Sequence, residues 1–354
     1  MTHMTPKFRA ALTAIVLGLT LVLPQLGQAA INPRITVATT ATAGAAPLAI
    51  TLGDTGGAGD AFAKAVVYVP AAFSFVAPPT TVGTAAVTTV WTDRDPQSPV
   101  LLSGGISAVS PSDPRIAASS NCDPGTHTAT WLVSVTSVGG DSFAFPIYVD
   151  ATTGTETQFG ATKLVFCFLP PTQGLPNRAS DGNKFVSAQL KLNGFSHIGA
   201  SGTTTWRSLW TPYTTGTATL NAAGAMEAQS TLTVLTPSDL VLTGKIVTSR
   251  INGNTRKQAT VVASLSGEGT PIAGVIVLIK HGITPAKLVS LGKGSTSGKG
   301  TVTKTSLLAG GTYFQAGATL TGIAGACNPS FSVPCSNASG GAVTYASNTL
   351  HLRG

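Results

Sequence analysis

The chain has 354 residues, 43% of them hydrophobic and only 10% charged, against roughly 25% charged in an ordinary soluble domain. Its net charge of +8 is unevenly placed: residues 31–240 carry nine Lys/Arg and twelve Asp/Glu, a net −3, whereas residues 241–354 carry ten Lys/Arg and one acid, Glu268, a net +9. The length allows two or three packed domains with a surface of Thr, Ser, Asn and Gly, and basic residues scattered without interleaved aromatics argue against a nucleic-acid partner.

The first element is a segment to be removed. Lys7 and Arg9 precede an apolar run from Ala10 to Leu23, which Pro24 ends, and Gly27 and Ala29 stand at −3 and −1 of a cut after Ala29. This is the layout of a secretory signal helix, residues 1–29, and the run is shorter than the ~20 residues of a spanning helix. The expected contact with membrane is therefore through this segment alone, before cleavage.

Period-two alternation then recurs along the chain. It is clear at Arg34–Thr42, Ala63–Pro70, Val82–Thr92, Thr128–Val138, Ser142–Asp150 and Thr162–Pro170, each bounded by Gly, Pro, Asp or Ser. These are half-buried strands joined by turns, and no amphipathic helix of ten residues follows the signal. Gly53–Ala61, Ser110–Gly125 and the Pro-rich Leu169–Asn183 read as loops. Residues 30–237 are expected to form an N-terminal β-sandwich, as one unit or as two divided near 170–183. The stretch Thr236–Asp239, beyond which the charge changes sign, separates it from a second sandwich over 240–354.

Four cysteines in an exported chain imply disulfides, and four permit three pairings. Cys122–Cys167 with Cys327–Cys335 keeps each bridge inside one expected domain. Loop closure would then contribute about 4 kcal/mol and about 2.6 kcal/mol respectively. No CxxC or neighbouring His offers a four-ligand zinc set.

Catalytic patterns are missing. The histidines are dispersed, neither HExxH nor GxSxG occurs, and "KGSTSGKG" fails the P-loop because Lys293 stands where its first Gly belongs. Asp93 with Asp95, or Asp54 with Asp60, offers paired carboxylates that suit calcium, but Asp before Pro or Gly serves turns more often. His127 near Asp123 reads as a solvated loop. Neither a cofactor nor a metal is expected.

In "TTTWRSLWTPYTT" strand geometry puts Trp206, Ser208 and Trp210 on one face and Arg207 and Leu209 on the other, and Pro212 ends the regular pairing. The core is the favoured place for these rings. The competing reading makes Trp206, Trp210 and Tyr213 a ligand surface, with Lys280, Lys287, Lys293, Lys299 and Lys304 as a second one for anionic partners.

Residues 260–282, "TVVASLSGEGTPIAGVIVLIKHG", resemble the first half of bacterial immunoglobulin-like and carboxypeptidase-regulatory-like modules, with Pro271, Gly274 and Val277 at the positions of a P-x-x-G-x-x-V signature. The stretch from Gly292 to Leu320 resembles the remainder, with a turn at Gly298 and Gly300 and with Tyr313 opening the penultimate strand. The resemblance covers about 110 residues, and it implies an immunoglobulin-like sandwich. Thr296 and Ser297 replace the acid of many relatives, which speaks against a calcium-binding version. The whole layout also resembles uncharacterised exported proteins of high-GC actinobacteria, which implies location and fold but no activity.

The expectation is an all-β, tandem antiparallel β-sandwich protein, secreted or at the cell surface, structural or adhesive rather than enzymatic. The alternative is a binder of carbohydrate or of an anionic cell-wall polymer. The expected partners are wall polysaccharide or another surface protein.

Overall fold

A computed structural model of the chain describes residues 31–41, 47–54, 60–76, 81–92, 97–117, 122–171, 183–197, 202–215, 217–234, 240–267, 270–308, 311–321, 324–327 and 329–353. The signal segment, Asp93 and Asp95, most of the Pro-rich passage and the boundary at 236–239 lie outside the described residues.

The strands of the first half are β1 (Pro33–Ala41), β2 (Leu48–Asp54), β3 (Phe62–Val69), β4 (Phe73–Phe75), β5 (Thr81–Trp91) and β6 (Pro99–Val109), then a short helix α1 (Pro114–Ala117). They continue with β7 (Ala129–Ser137), β8 (Ser142–Ala151), β9 (Thr162–Cys167), β10 (Asn183–Leu192), β11 (Phe195–His197), β12 (Gly202–Pro212) and β13 (Met226–Val234). The expected alternating segments are strands, and the chain is all-β.

Antiparallel pairing runs in one path, β1-β2-β10-β5-β6-β7-β8-β9-β3-β12-β13. Strands from either side of the Pro-rich passage interleave in it, since β10 lies between β2 and β5, and β12 beside β3. The path folds back on itself, so that inward residues of its two halves meet. Phe62 on β3 touches Trp210 on β12 at 4.6 Å and faces Phe185 on β10 at 6.1 Å, and Trp91 on β5 meets Phe143 on β8 edge-on. Tilted and edge-on rings are the favoured aromatic arrangements, and their burial dominates this core.

The second half holds β14 (Leu240–Ile251), β15 (Asn254–Gly267), β16 (Thr270–Pro271), β17 (Ile276–Thr284), β18 (Lys287–Ser295), β19 (Thr301–Leu307), β20 (Gly311–Thr321), β21 (Cys335–Gly340), β22 (Ala342–Ala346) and β23 (Leu350–Arg353). One sheet is β14-β15-β19, with β16 on the end of β15. The facing strands are β18-β17-β20, and β20 goes on to pair with β22 and β23. Leu242, Val261, Ala263, Val277, Ile279 and Phe314 fill the space between.

Pairing also crosses between the halves. β21 runs parallel to β13, and β22 runs parallel to β1. At the crossing, Gly341 N–H donates to the Thr231 carbonyl at 2.6 Å, and a Cβ there would collide with the Val37 carbonyl. Only glycine permits that approach. Ser230 Oγ accepts from Val37 N–H, while Ser339 Oγ donates to the Ile35 carbonyl, so hydroxyls complete the β1–β13 seam.

The connection 296–300 joins strands of facing sheets and is not a hairpin. Its left-handed residue is Gly300 (φ 69°), where Gly298 was expected to share that role. Gly274 (φ 81°) takes the turn geometry its signature position implies. Thr296 closes that turn, since its hydroxyl accepts from Val275 N–H at 3.0 Å.

Candidate functional site

Alternation in β8, β9, β3, β12 and β13 sends apolar side chains inward and a set of ionisable ones outward. The register then aligns Asp150, Lys163, Tyr68, Arg207 and Gln229 as direct neighbours in a row across five strands. An ordinary outer face would be open to water. This one is covered by residues 122–128, by the 3-10 turn Gly154–Phe159 and by residues 327 and 329–335, with Val66, Tyr68, Leu132, Tyr148 and Val165 forming a second apolar cluster beneath them.

Both disulfides belong to these covers. Cys122–Cys167 ties the first to β9, and Cys327–Cys335 closes the third. Both expected bridges are therefore formed. Phe331, at the tip of the third cover, stacks on Tyr68 at 5.2 Å and meets Phe159 at 4.8 Å.

Three carboxylates under the covers have a Lys or Arg partner. Asp123 Oδ1 accepts from Lys64 Nζ at 2.7 Å. Glu156 accepts from Lys163 Nζ and from Tyr68 Oη, each at 2.8 Å. Burial opposes ionisation of Glu156, but those hydrogen bonds outweigh it and hold its carboxyl below the ordinary value. Burial first, then the Glu156 hydrogen bond and charge, pushes the Tyr68 phenol far above its ordinary value. Glu227 is fully buried, accepting from Arg207 and Gln229 at 2.8 Å and from Ser330 N–H at 2.7 Å. Arg207 also lies over the Phe159 ring, 5.5 Å from its centroid.

At the far end of the row a recess of about 340 Å³ is lined by Asp123, His127, Asp150 and Lys163. His127, expected in a solvated loop, is instead 8% exposed and stacked on Tyr148 with ring centroids 3.8 Å apart. Its Nδ1 faces the Asp150 carboxylate at 2.9 Å, and its Nε2 faces the Asp123 carbonyl at 3.1 Å. Burial, then the Asp123 and Asp150 charges, raises the Tyr148 phenol.

Asp123, His127 and Asp150 offer ligand atoms within 4.8 Å of one another. Asp123 Oδ1 already holds the Lys64 ammonium, and both ring nitrogens of His127 face oxygens. The arrangement acts as an ionic clasp on the Cys122 cover, with Lys64 as its cation.

The other expected site residues lie apart from this row. Trp206 and Trp210 are 0% exposed, so these rings are core and not a ligand surface. Ser208 lies between them as anticipated: Trp210 Nε1 donates to its hydroxyl at 2.8 Å, which in turn donates to the Ala228 carbonyl. Tyr213 is also buried, its hydroxyl donating to the Phe168 carbonyl at 2.7 Å. Lys280, Lys287, Lys293 and Lys299 are exposed but spread over β17, β18 and the turn after them. Lys304 is half-buried, its stem lying against Gly292 and Gly294. Asp54 and Asp60 accept hydrogen bonds from Asn32 N–H and the Thr215 hydroxyl.

Sequence reasoning passed over Tyr68, Lys163, Glu156 and Glu227. The available signal was ionisable residues at alternate positions of strands whose other face is wholly apolar. No protein-family model matches the chain, and no curated protein matches it.

Proposed function

We propose that this is an exported, non-enzymatic β-sandwich protein of the cell surface or exterior, structural or adhesive, with an immunoglobulin-like C-terminal module. The observation that carries the reading is the covered outer face. Two disulfides, three ion-paired carboxylates and the contact of Asp150 with His127 fasten segments over a sheet that would otherwise meet water. Disulfides persist in oxidising compartments, and cross-links that also cover a sheet suit a scaffold outside the protection of the cell. No helix among the described residues is long and apolar enough to cross a membrane. Fractionation of the source cells tests the proposal: the protein is expected in medium or envelope with all four thiols blocked, and a cytosolic pool with free thiols would overturn it.

The second reading, binding of an anionic cell-wall polymer, is favoured by the net +9 of residues 241–354. It predicts sedimentation with purified wall at low salt and release at high salt.

A further inference from the structure

The hairpin of β14 and β15 outruns the sandwich that it belongs to. Its pairing extends from Leu240↔Leu265 to Ile251↔Asn254, but β19 accompanies β15 only as far as Gln258↔Leu307. From Thr243 to Lys257 the side chains described are exposed, apart from half-buried Ser249. Asn252 (φ 50°) and Gly253 (φ 78°) close the end in the left-handed pair that matches strand twist. A two-stranded ribbon that buries so little is marginal by itself, so its own packing does not account for it.

Its charge does point to an occupant. Leu240 and Leu242 define the inward face, and alternation carries that face outward to Arg250, with Lys257, the register partner of Thr248, on the same face. The opposite face carries Arg256 and, at the base of the ribbon where β19 still flanks β15, Lys245. All four are exposed, and none has an ion pair among the described residues. A flat anionic surface would meet one face of the ribbon and leave two cations unmatched. A linear polyanion can pass along both faces, because the ribbon is only two strands wide, with strands about 5 Å apart.

We infer that this ribbon is the docking element for a flexible linear polyanion. The inference rests on the anionic-polymer reading and moves its site from Lys280, Lys287, Lys293, Lys299 and Lys304 to the ribbon. Binding releases counterions, so log K should fall against log salt with a slope of about −3 for four cations.

The test uses the full chain and long-chain polyphosphate as probe, with polyglutamate and phosphatidylglycerol vesicles as parallel arms. The ribbon variant is Lys245→Gln, Arg250→Gln, Arg256→Gln, Lys257→Gln. The control, Lys280→Gln, Lys287→Gln, Lys293→Gln, Lys299→Gln, removes the same charge elsewhere. Wild type is expected to bind polyphosphate, the ribbon variant to bind about tenfold or more weakly, and the control to change less than about threefold. An Arg250→Lys, Arg256→Lys chain keeps the charge and should bind as wild type, which separates charge from any effect on the hairpin's fold. Equal losses in ribbon and control chains, or none in the ribbon chain, overturn the ribbon assignment and leave the polymer reading standing. Binding to neither polyanion overturns the polymer reading itself, and binding to vesicles alone replaces it with a membrane surface.

Discussion

The two halves of the molecule satisfy their polar groups in opposite ways. In the first, all four tryptophans are buried and every ion pair found among the described residues closes within the half, although Glu227 also takes in the Ser330 N–H of the second. In the second, ten basic residues share one acid, Glu268, and a ribbon of exposed side chains leaves the sandwich. The difference teaches where to look for a partner. Charge that is matched internally builds the protein, and charge that is left unmatched faces outward to something else.

The largest expected effects lie in the first half. Arg207→Ala should cost about 3–5 kcal/mol in denaturant unfolding, because it leaves Glu227 buried without its cation. Trp210→Ala should cost a similar ~3–5 kcal/mol. If either cost under 1 kcal/mol, the contrast between a locked half and an open one would fail.

Cross-link removal grades the covers. Cys122→Ala with Cys167→Ala should lower stability by about 4 kcal/mol, against about 2.6 kcal/mol for Cys327→Ala with Cys335→Ala. The reverse order would mean that the 327–335 cover, through Phe331 and Ser330, holds more than its short loop accounts for.

Titration sharpens the picture of the ionisable row. Glu156 is depressed below its ordinary 4.5 in the folded state, so its contribution is full above that value and is lost as pH falls through the lower, folded value. Tyr68 is raised above its ordinary 10.0, so its contribution is full below pH 10 and is lost as pH climbs beyond it. Melting temperature against pH should therefore drop at both ends, and Tyr68→Phe should flatten the alkaline limb.

Smaller effects follow from single hydrogen bonds. Trp206 Nε1 is buried with no hydrogen-bond partner among the described residues, whereas Trp210 Nε1 donates to Ser208. Trp206→Phe should therefore be milder than Trp210→Phe by about 1 kcal/mol. Least of all, Arg115→Gln should leave melting unchanged, since exposed pairs contribute little. By NMR titration it should nevertheless raise the Asp113 carboxyl from about 2 toward 3.8.

Alternation showed the strands, and the placement of Trp206, Ser208 and Trp210 on one face followed from it. The cysteine pairing was legible for the same local reason, since each bridge closes within its own half. Register was not legible. Asp150, Lys163, Tyr68 and Arg207 come from four separate strands, and nothing in any one of them says which residue lies opposite which. His127 misled because loop residues near Asp are usually solvated, and Tyr148, which stacks on it, is distant in the chain. Alternation identifies β14 as a strand, but it cannot show where β19 stops pairing and the ribbon begins.

The strand that crosses from β13 to β1 also sets an order of events. The Thr36 and Ser339 hydroxyls bond across a separation of 303 residues. Whatever compact form the first half takes during synthesis, its seam stays open until β21 and β22 have emerged. Closure by so distant a strand is slow, and the waiting edges of β1 and β13 are exposed to neighbouring chains in the meantime. Residues 335–346 are thus a kinetic fastener, and a chain truncated before Cys335 should aggregate during refolding although the strands of its first half are intact.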